Sequence, residues 1–371
     1  MESGISTPSN EPQWTEEKLY LNADSFFKNV LKNIHEARTS IDLESYIFQH
    51  DDLGKKVVQE LCAAAERGVK VRILIDAFSS TSFPQSTIDE FQKKGIELKF
   101  YHPFAKVKFI KLFQTFNRRN HRKTWIFDRD RTFVGSANIV KNNWKEIGLS
   151  IKGYEVIALI NAFEKAWDKK GLLNKLKQKV TSPQPRARAL RRPQLVRLND
   201  RLWLRRRNYI NFLRKMKHAR EHILIGNAYF APPLRTVRTL CKAAQKGVNI
   251  KLLVPQNSDV FFMPWVTSTY YYGLIKAGVK IFEYKPNFYH AKILMIDDYM
   301  FVGSSNLNHR SILHDLESDV AVTLEENQHQ LYDDFENDLT FSHRVTLNSL
   351  KRTTVFKKLI ANLMLLFRYW F

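Results

Sequence analysis

One pattern of residues occurs twice in this chain of 371 residues, and the repetition limits how the chain can fold. The pattern reads H-x-K-x-x-x-x-D and is followed, a few residues later, by G-S-x-N. Its first copy spans residues 121–138 and its second copy spans residues 290–306. Two copies of one motif, far apart in the sequence, indicate that the chain consists of two equivalent halves.

The similarity between the halves extends beyond the two motifs. Residues 61–75 match residues 240–254, and in both places the sequence predicts a helix that ends at a glycine and leads into a strand. A shorter match joins residues 44–47 to residues 227–230. Each half is therefore predicted to run strand, helix, strand, helix, strand, strand. This order is typical of an α/β lobe with helices on both sides of a mixed sheet.

We expect two duplicated lobes related by a pseudo-two-fold axis, with one active site at their interface, because a single motif lacks an acid–base partner. The alternative is two independent sites, one in each half. A proline- and arginine-rich stretch predicts a linker between the lobes. The predicted division is an N-terminal tail at residues 1–17, a first lobe at 18–181, a basic linker at 182–207, a second lobe at 208–345 and a C-terminal segment at 346–371.

Each motif places an imidazole and an ammonium group on the same side of a strand. The apolar residues after each lysine indicate a buried strand, and strand side chains alternate between faces. An ammonium group and an asparagine amide can hold phosphate oxygens, while two imidazoles can supply a nucleophile and a general acid. The glycine before each serine is expected to let the backbone approach the phosphate. The predicted phosphate-binding residues are Lys123, Lys292, Asn138 and Asn306, with lesser contributions from Ser136 and Ser304, for which capping or structural hydrogen bonding is the alternative.

Asp128 and Asp297 end the two motifs, and by strand alternation they point to the opposite face of the strand from the lysines. Their position favours a role in a turn or at a strand end over direct contact with phosphate.

The paired motifs resemble the two HKD motifs of the phospholipase D superfamily, and the resemblance extends from about Lys18 to about Phe341. Within that superfamily the chain is most similar to the bacterial cardiolipin synthases of the short type without N-terminal membrane spans. Four further stretches carry this second resemblance: residues 51–55, 64–70, 227–230 and 302–307.

The resemblance implies a fold of two phospholipase D-like lobes and a catalytic set of His121, Lys123, Asp128, His290, Lys292 and Asp297. His121 would form a phosphohistidine intermediate, and His290 would protonate the leaving alcohol and then deprotonate the incoming one. The reverse order remains open. An acid at the places of Glu146 and Glu317 would hydrogen-bond a catalytic histidine and set its tautomer. No metal and no cofactor are implied.

The resemblance also implies an activity, the joining of two phosphatidylglycerol molecules into cardiolipin with release of glycerol. Two alternatives within the superfamily stay open: a nuclease or nucleic-acid phosphodiesterase, and a hydrolytic phospholipase D. A third, non-enzymatic hypothesis is a basic peripheral membrane-binding protein whose active site has lost its activity.

The composition favours one class of binding partner but does not identify the partner. The chain has 59 lysine and arginine residues against 37 aspartate and glutamate residues, a formal net charge of +22. Such an excess favours polyanionic partners, either an anionic bilayer or nucleic acid. Residues 104–119 alternate apolar and basic side chains, which fits insertion into a membrane interface or a cationic loop packed on its own lobe.

The C-terminal segment at 346–371 combines an apolar body with basic and aromatic flanks, and is predicted either to dock on the second lobe or to lie in a membrane interface. Neither a membrane-spanning run nor a signal peptide is evident. We therefore expect a peripheral protein on the cytoplasmic side of the bacterial inner membrane. Its expected partner is anionic phospholipid, above all phosphatidylglycerol, with nucleic acid as the alternative and no obligate protein partner.

Overall fold

The computed structural model describes residues 14–80, 83–102, 118–168, 194–351 and 363–364. These residues form two α/β lobes, each built on one mixed sheet with helices packed against it. The predicted fold class is therefore confirmed. Among the residues described, no helix combines the length and the apolar character needed to cross a bilayer.

The first lobe contains seven strands within the described residues. They are β1 (Glu16–Tyr20), β2 (Ser40–Ser45), β3 (Lys70–Asp76), β4 (Glu97–Tyr101), β5 (Thr124–Phe127), β6 (Arg131–Gly135) and β7 (Gly148–Lys152). The helices are α1 (Ala23–Glu36), α2 (Asp52–Glu66), α3 (Gln85–Lys93) and α4 (Val156–Trp167). The sheet order is β1-β7-β6-β5-β2-β3-β4, in which β2, β3 and β4 are parallel and the other pairs are antiparallel.

The second lobe repeats this plan with eight strands among the described residues. They are β8 (Val196–Leu198), β9 (His222–Gly226), β10 (Asn249–Pro255), β11 (Lys280–Tyr284), β12 (Ile293–Ile296), β13 (Tyr299–Gly303), β14 (Ser318–Ala321) and β15 (Ser342–Val345). The helices are α5 (Leu202–His218), α6 (Leu234–Gln245), α7 (Met263–Ser268), α8 (Tyr271–Lys276), α9 (His309–Leu313), α10 (Glu325–Thr340) and α11 (Leu347–Lys351). The sheet order is β15-β11-β10-β9-β12-β13-β14-β8, with β9, β10 and β11 parallel.

Local sequence accounts for the duplicated helix-to-strand units. Helix α2 begins where the Asp51 side chain accepts the Gly54 N–H at 2.9 Å, which caps an otherwise unpaired donor. Gly68 follows α2 with a φ of 90°, and Gly247 follows α6 with a φ of 94°. Glycine adopts this left-handed conformation without a Cβ penalty, so both helices end where the sequence predicts.

The central strands of the two sheets carry the motifs. All four residues of β5 and all four residues of β12 are buried, as expected for strands covered on both faces. The sheets contact each other through β6 and β7 on one side and β13 and β14 on the other. One apolar core runs across this contact and contains Val134, Leu149 and Val302.

The predicted domain boundaries need two corrections. Strand β1 begins inside the predicted tail, and the buried Trp14 donates its indole N–H to the Ala321 carbonyl of the second lobe at 2.9 Å. Within the predicted linker, residues 194–207 contain β8, which pairs with β14, and the start of α5. The exposed arginines of α5 resemble a linker, but Phe212 and Met216 anchor its buried face.

Candidate active site

Both motif histidines line one cavity of about 370 Å³. Tyr46 and Tyr229, which come shortly after the parallel strands β2 and β9, line the same cavity. The cavity therefore lies at the carboxyl ends of the parallel strands, where ligands of open α/β sheets bind. The prediction of one site shared by the two lobes is confirmed.

Backbone pairing between the lobes holds the two histidines in equivalent positions. The His121 N–H donates to the Leu316 carbonyl at 3.0 Å, and the His290 N–H donates to the Lys145 carbonyl at 2.9 Å. In each case the next residue of the opposite lobe is a glutamate. Each histidine is thereby placed beside an acid that belongs to the other lobe.

These glutamates hydrogen-bond the histidines across the lobe interface. His121 Nδ1 lies 3.0 Å from a carboxylate oxygen of Glu317, and His290 Nδ1 lies 2.7 Å from one of Glu146. A carboxylate only accepts hydrogen bonds, so Nδ1 carries the proton and Nε2 keeps a lone pair for chemistry. This is the arrangement expected for the two glutamates. The exchange of partners between lobes is a feature that the sequence did not predict.

The motif serines hold the glutamates, which fits the structural alternative for these residues and not the role of phosphate ligands. Ser136 Oγ donates to Glu146, and Ser304 Oγ donates to Glu317 at 2.5 Å. Ser311 Oγ adds a second hydroxyl bond to Glu317 at 2.6 Å. The hydroxyl oxygen of each motif serine also accepts the backbone N–H of the residue that follows its glutamate. Their hydrogen-bonding capacity is thus directed at the glutamates and the backbone.

The motif lysines lie beside the histidines, as strand alternation predicts. Lys123 Nζ donates to the carbonyl of His121 at 2.8 Å, and Lys292 Nζ donates to that of His290 at 2.6 Å. Burial lowers the pKa of Lys123 to about 8 and lowers the pKa of Lys292 well below its usual value. An entering phosphate would stabilise the charged form of both ammonium groups by supplying a counter-charge.

The two imidazoles are neutral near pH 7 before an anion binds. Burial lowers the pKa of His121 well below its usual value, and the charges of Lys123 and Lys292 add to the effect. Burial also lowers the pKa of His290, to about 4, although the Glu146 carboxylate opposes this shift. A bound phosphodiester would raise both pKa values by favouring the imidazolium form.

The pKa values of the two glutamates are shifted in opposite directions. Burial acts to raise the pKa of Glu146, but the charge and hydrogen bond of His290 outweigh burial and the pKa is lowered. At Glu317 burial is the stronger influence and the pKa is raised. The His290–Glu146 pair is therefore better suited to carry an imidazolium, and the His121–Glu317 pair to keep a neutral ring.

The motif aspartates take no part in the cavity, which corrects their place in the predicted catalytic set. Asp128 and Asp297 occupy turns at the far ends of β5 and β12, each with a φ of 50°. The Asp128 carboxylate accepts backbone N–H groups from residues 38–40 at 2.7 to 3.2 Å. Asp297 accepts those of residues 220–222 at 2.9 to 3.1 Å. Both carboxylates stabilise turns, as their strand parity indicated.

The motif asparagines do line the cavity together with the histidines. Asn138 Oδ1 accepts the Ile47 N–H at 3.3 Å, so that its amide nitrogen remains available as a donor. Asn138 and Asn306 therefore both lie in the wall of the cavity that holds the two histidines.

The motif glycines serve strand packing, not the expected approach of backbone to phosphate. A Cβ on Gly135 would lie 2.5 Å from the Ile147 carbonyl oxygen, and a Cβ on Gly303 would lie 2.4 Å from that of Ser318. Neither position can hold a side chain without moving backbone atoms.

Several cavity residues were not predicted from the sequence. The Tyr46 ring centre lies 4.8 Å from that of His121, and the Trp144 ring centre lies 5.0 Å from that of His290. Tyr46 and Tyr229 occupy matching positions in the repeat, so the duplication could have identified them. Trp144 and Arg310 break the repeat, which therefore gave no signal for them.

Two sequence predictions lie largely outside the described residues. They are the alternating segment at 104–119, of which 118–119 are described, and the C-terminal segment, of which 346–351 and 363–364 are described. In the described part of the chain, no group of three or more His, Cys, Asp or Glu side chains could hold a metal ion.

Fold and site together define a class of enzyme with paired phospholipase D-like lobes and two motif histidines facing one cavity. The chain belongs to the family described as "Cardiolipin synthase, PLD-like domain", which matches residues 30–167 and 212–339. It is 30% identical over 357 residues to a cardiolipin synthase of Clostridium perfringens, covering 92% of this chain and 74% of that protein. It is 28% identical over 370 residues to cardiolipin synthase 1 of Bacillus anthracis, covering 94% and 71%.

A solved structure shows the same fold. The crystal structure of a phosphatidylserine synthase from Haemophilus influenzae matches with a TM-score of 0.71 at 13% sequence identity. The match covers 97% of this chain and 96% of that one, so both lobes and their mutual arrangement are shared.

Proposed function

We propose that this protein is a phosphatidyltransferase of the cardiolipin synthase type, which joins two phosphatidylglycerol molecules into cardiolipin and releases glycerol. The observation that carries the proposal is the pair of histidines in one cavity, each held through Nδ1 by a carboxylate of the opposite lobe. This arrangement leaves two Nε2 atoms for one phosphorus, as a two-step transfer requires. The cardiolipin synthases among its relatives support the choice of substrate over nucleic acid.

In the first step, His121 Nε2 attacks the phosphorus of the donor lipid, and the P–O bond to glycerol breaks. The electron pair of that bond leaves on the glycerol oxygen, which takes the proton of the His290 imidazolium. The charge of the donor phosphodiester raises the pKa of His290 on binding and so supplies the protonated form. His121 is assigned as nucleophile because its pKa is lowered well below its usual value and Glu317 favours the neutral pair.

In the second step, a hydroxyl of the second phosphatidylglycerol takes the place of the departed glycerol. The neutral His290 accepts the proton of this hydroxyl as its oxygen attacks phosphorus, and the P–N bond to His121 breaks. Cardiolipin forms and both rings return to their starting states. Water in the same position would give phosphatidic acid, so exclusion of water determines the yield of cardiolipin.

Charge on the phosphoryl oxygens is balanced by donors from both lobes. Lys123 and Lys292 supply the positive charge, and the amides of Asn138 and Asn306 supply neutral hydrogen bonds. Each such donor in a buried site is worth about 10²- to 10³-fold in kcat.

Aromatic side chains beside the cavity support a membrane surface as partner. Phe261, which lies between two cavity-lining residues in the sequence, is 72% exposed, and the cavity-lining Phe78 is 46% exposed. Phe261 packs edge-on against Phe262 and Trp265. Aromatic rings favour the bilayer interface, and a net charge of +22 favours anionic lipid. Binding to the cytoplasmic face of the bacterial inner membrane is part of the proposal.

The direct test is product analysis with the purified full chain and phosphatidylglycerol vesicles. We expect cardiolipin and glycerol from the wild type. His121→Ala and His290→Ala should each lower the rate by roughly 10³-fold or more, because each removes a reacting group. His329→Ala, at an exposed histidine on α10, is the matched control and should leave the rate unchanged.

The same experiment separates the alternatives. Phosphatidic acid as the sole product would identify a hydrolytic phospholipase D, and cleavage of single-stranded DNA in a parallel reaction would identify a nuclease. A phosphatidyl adduct trapped in His290→Ala but not in His121→Ala assigns the nucleophile, and the opposite pattern reverses the assignment. Cardiolipin formation at the wild-type rate in either variant would refute the mechanism.

A further inference from the structure

The two lobes differ where the chain passes from the motif serine to the glutamate. In the first lobe Ser136 and Glu146 are 10 residues apart, whereas in the second lobe Ser304 and Glu317 are 13 residues apart. The longer connection contains helix α9, and Arg310 of this helix lines the cavity. The shorter connection places an aromatic ring, Trp144, in the cavity wall. The two connections therefore contribute different side chains to the cavity wall, Arg310 from the second lobe and Trp144 from the first.

Arg310 is fixed by a buried acid. Its Nε donates to Asp315 at 2.9 Å, and the Asp315 carboxylate also accepts the Arg119 N–H at 2.9 Å. The Arg310 side chain is 23% exposed, whereas the Asp315 side chain is 6% exposed. An arginine held through Nε keeps its two terminal amino groups for a planar pair of oxygens, such as those of a phosphodiester.

Arg310 differs from the two motif lysines in that it lines the cavity. Among the described residues that line the cavity, it is the only lysine or arginine. The motif lysines Lys123 and Lys292 already accompany the histidines, and each lies against the carbonyl of its own motif histidine. A second anion inside the cavity would bind the terminal amino groups of Arg310, whose Nε is paired with Asp315.

A transferase that joins two phosphatidyl groups must hold two phosphate groups at once. One is the phosphatidyl group bound through its phosphorus to His121, and the other is the phosphodiester of the acceptor lipid, one glycerol unit away from its attacking hydroxyl. We propose that Arg310 binds the phosphodiester of the acceptor lipid and thereby selects phosphatidylglycerol over water and glycerol as acceptor. This inference rests on the proposed function and specifies the second substrate of the same site.

The test compares an acceptor that has a phosphate with one that lacks it. Cardiolipin formation from phosphatidylglycerol vesicles uses the charged acceptor, and exchange of labelled glycerol into phosphatidylglycerol uses the same enzyme intermediate with an uncharged acceptor. Arg310→Gln should lower cardiolipin formation by about tenfold to a hundredfold, as expected for loss of a charged hydrogen bond. Glycerol exchange should stay within about threefold of the wild type, so that more intermediate is diverted to glycerol and water.

The controls separate binding from folding. Arg129→Gln removes an arginine that pairs with Glu164 away from the cavity, and both reactions should be unchanged. Arg310→Gln leaves Asp315 buried without its ion pair, so the double variant with Asp315→Asn is measured beside it. The double variant has no unpaired charge and should show the same selective loss.

The outcomes distinguish this inference from the proposed function. An equal loss of cardiolipin formation and glycerol exchange in both variants would show that Arg310 serves the donor or the cavity as a whole, and would overturn the inference. Cardiolipin formation at the wild-type rate in both variants would overturn it as well. A wild type that exchanges glycerol without making cardiolipin would refute the proposed function itself.

Discussion

Replacement of the two buried glutamates tests the division of labour between the histidines. Glu146→Gln and Glu317→Gln each keep the shape of the side chain and remove its charge. The Glu146 carboxylate accepts a hydrogen bond from the Nδ1–H of His290 at 2.7 Å, and both side chains are buried. A hydrogen bond to a charged group is worth about 1.5–3 kcal/mol. That energy corresponds to about tenfold to 150-fold in rate when it acts on the imidazolium in the transition state.

The two variants should differ in more than magnitude. Glu146 raises the pKa of His290, so its loss leaves less imidazolium to protonate the leaving glycerol. We expect Glu146→Gln to lower kcat by roughly 10²-fold and to move the alkaline limb of the rate profile to lower pH. Glu317 orients the neutral His121 at 3.0 Å, and Glu317→Gln should lower kcat by about tenfold with little shift of that limb.

The assay is cardiolipin formation from phosphatidylglycerol vesicles at a series of pH values. Glu164→Gln, at a glutamate that pairs with Arg72 and Arg129 away from the cavity, is the matched control and should retain the wild-type profile. Rates within threefold of the wild type for both variants would refute the role assigned to the glutamates. A shift of the alkaline limb in Glu317→Gln but not in Glu146→Gln would exchange the roles of the two histidines.

Four further predictions follow from the described contacts. Binding of inorganic vanadate, measured by inhibition, should weaken as the pH rises above about 4, because His290 is neutral there in the free protein and must take up a proton when the anion binds. Asp128→Ala should cost about 1–3 kcal/mol of unfolding free energy in denaturant titrations while kcat changes less than threefold, because its carboxylate binds backbone N–H groups in a turn. Gly303→Ala should cost about 1–3 kcal/mol, visible as a lower Tm, because the new methyl group would lie 2.4 Å from a carbonyl oxygen. Phe261→Glu should weaken co-sedimentation with phosphatidylglycerol vesicles, whereas Tyr154→Glu, at a residue 82% exposed after β7, should not.

The sequence predicted those features that depend on local pattern and repetition. Gly68 and Gly247 end matching helices, and the apolar runs after Lys123 and Lys292 form matching buried strands. Repetition of these units was enough to predict two lobes and one shared cavity. The parity of Asp128 within its strand indicated a turn role, although the resemblance had placed it in the catalytic set.

Features that depend on contacts between the lobes could not be read from the sequence. No local pattern shows that Glu317 lies against His121 of the other lobe, because this contact requires a backbone bridge between residues nearly 200 positions apart. The sequence gives no sign that Ser304 bonds Glu317, because the two residues are 13 positions apart and meet only in the fold. The arginine-rich start of α5 has the composition of a linker because the apolar residues that anchor this helix come later in the sequence.

The reciprocal contact of each histidine with an acid from the opposite half has an evolutionary consequence. A gene duplication ordinarily provides a spare copy that is free to accumulate change. Here neither copy is spare, since a lesion at one acid impairs the imidazole encoded in the other half. Trp144 and Arg310 line the cavity without taking part in these histidine–acid contacts, and there the two halves differ.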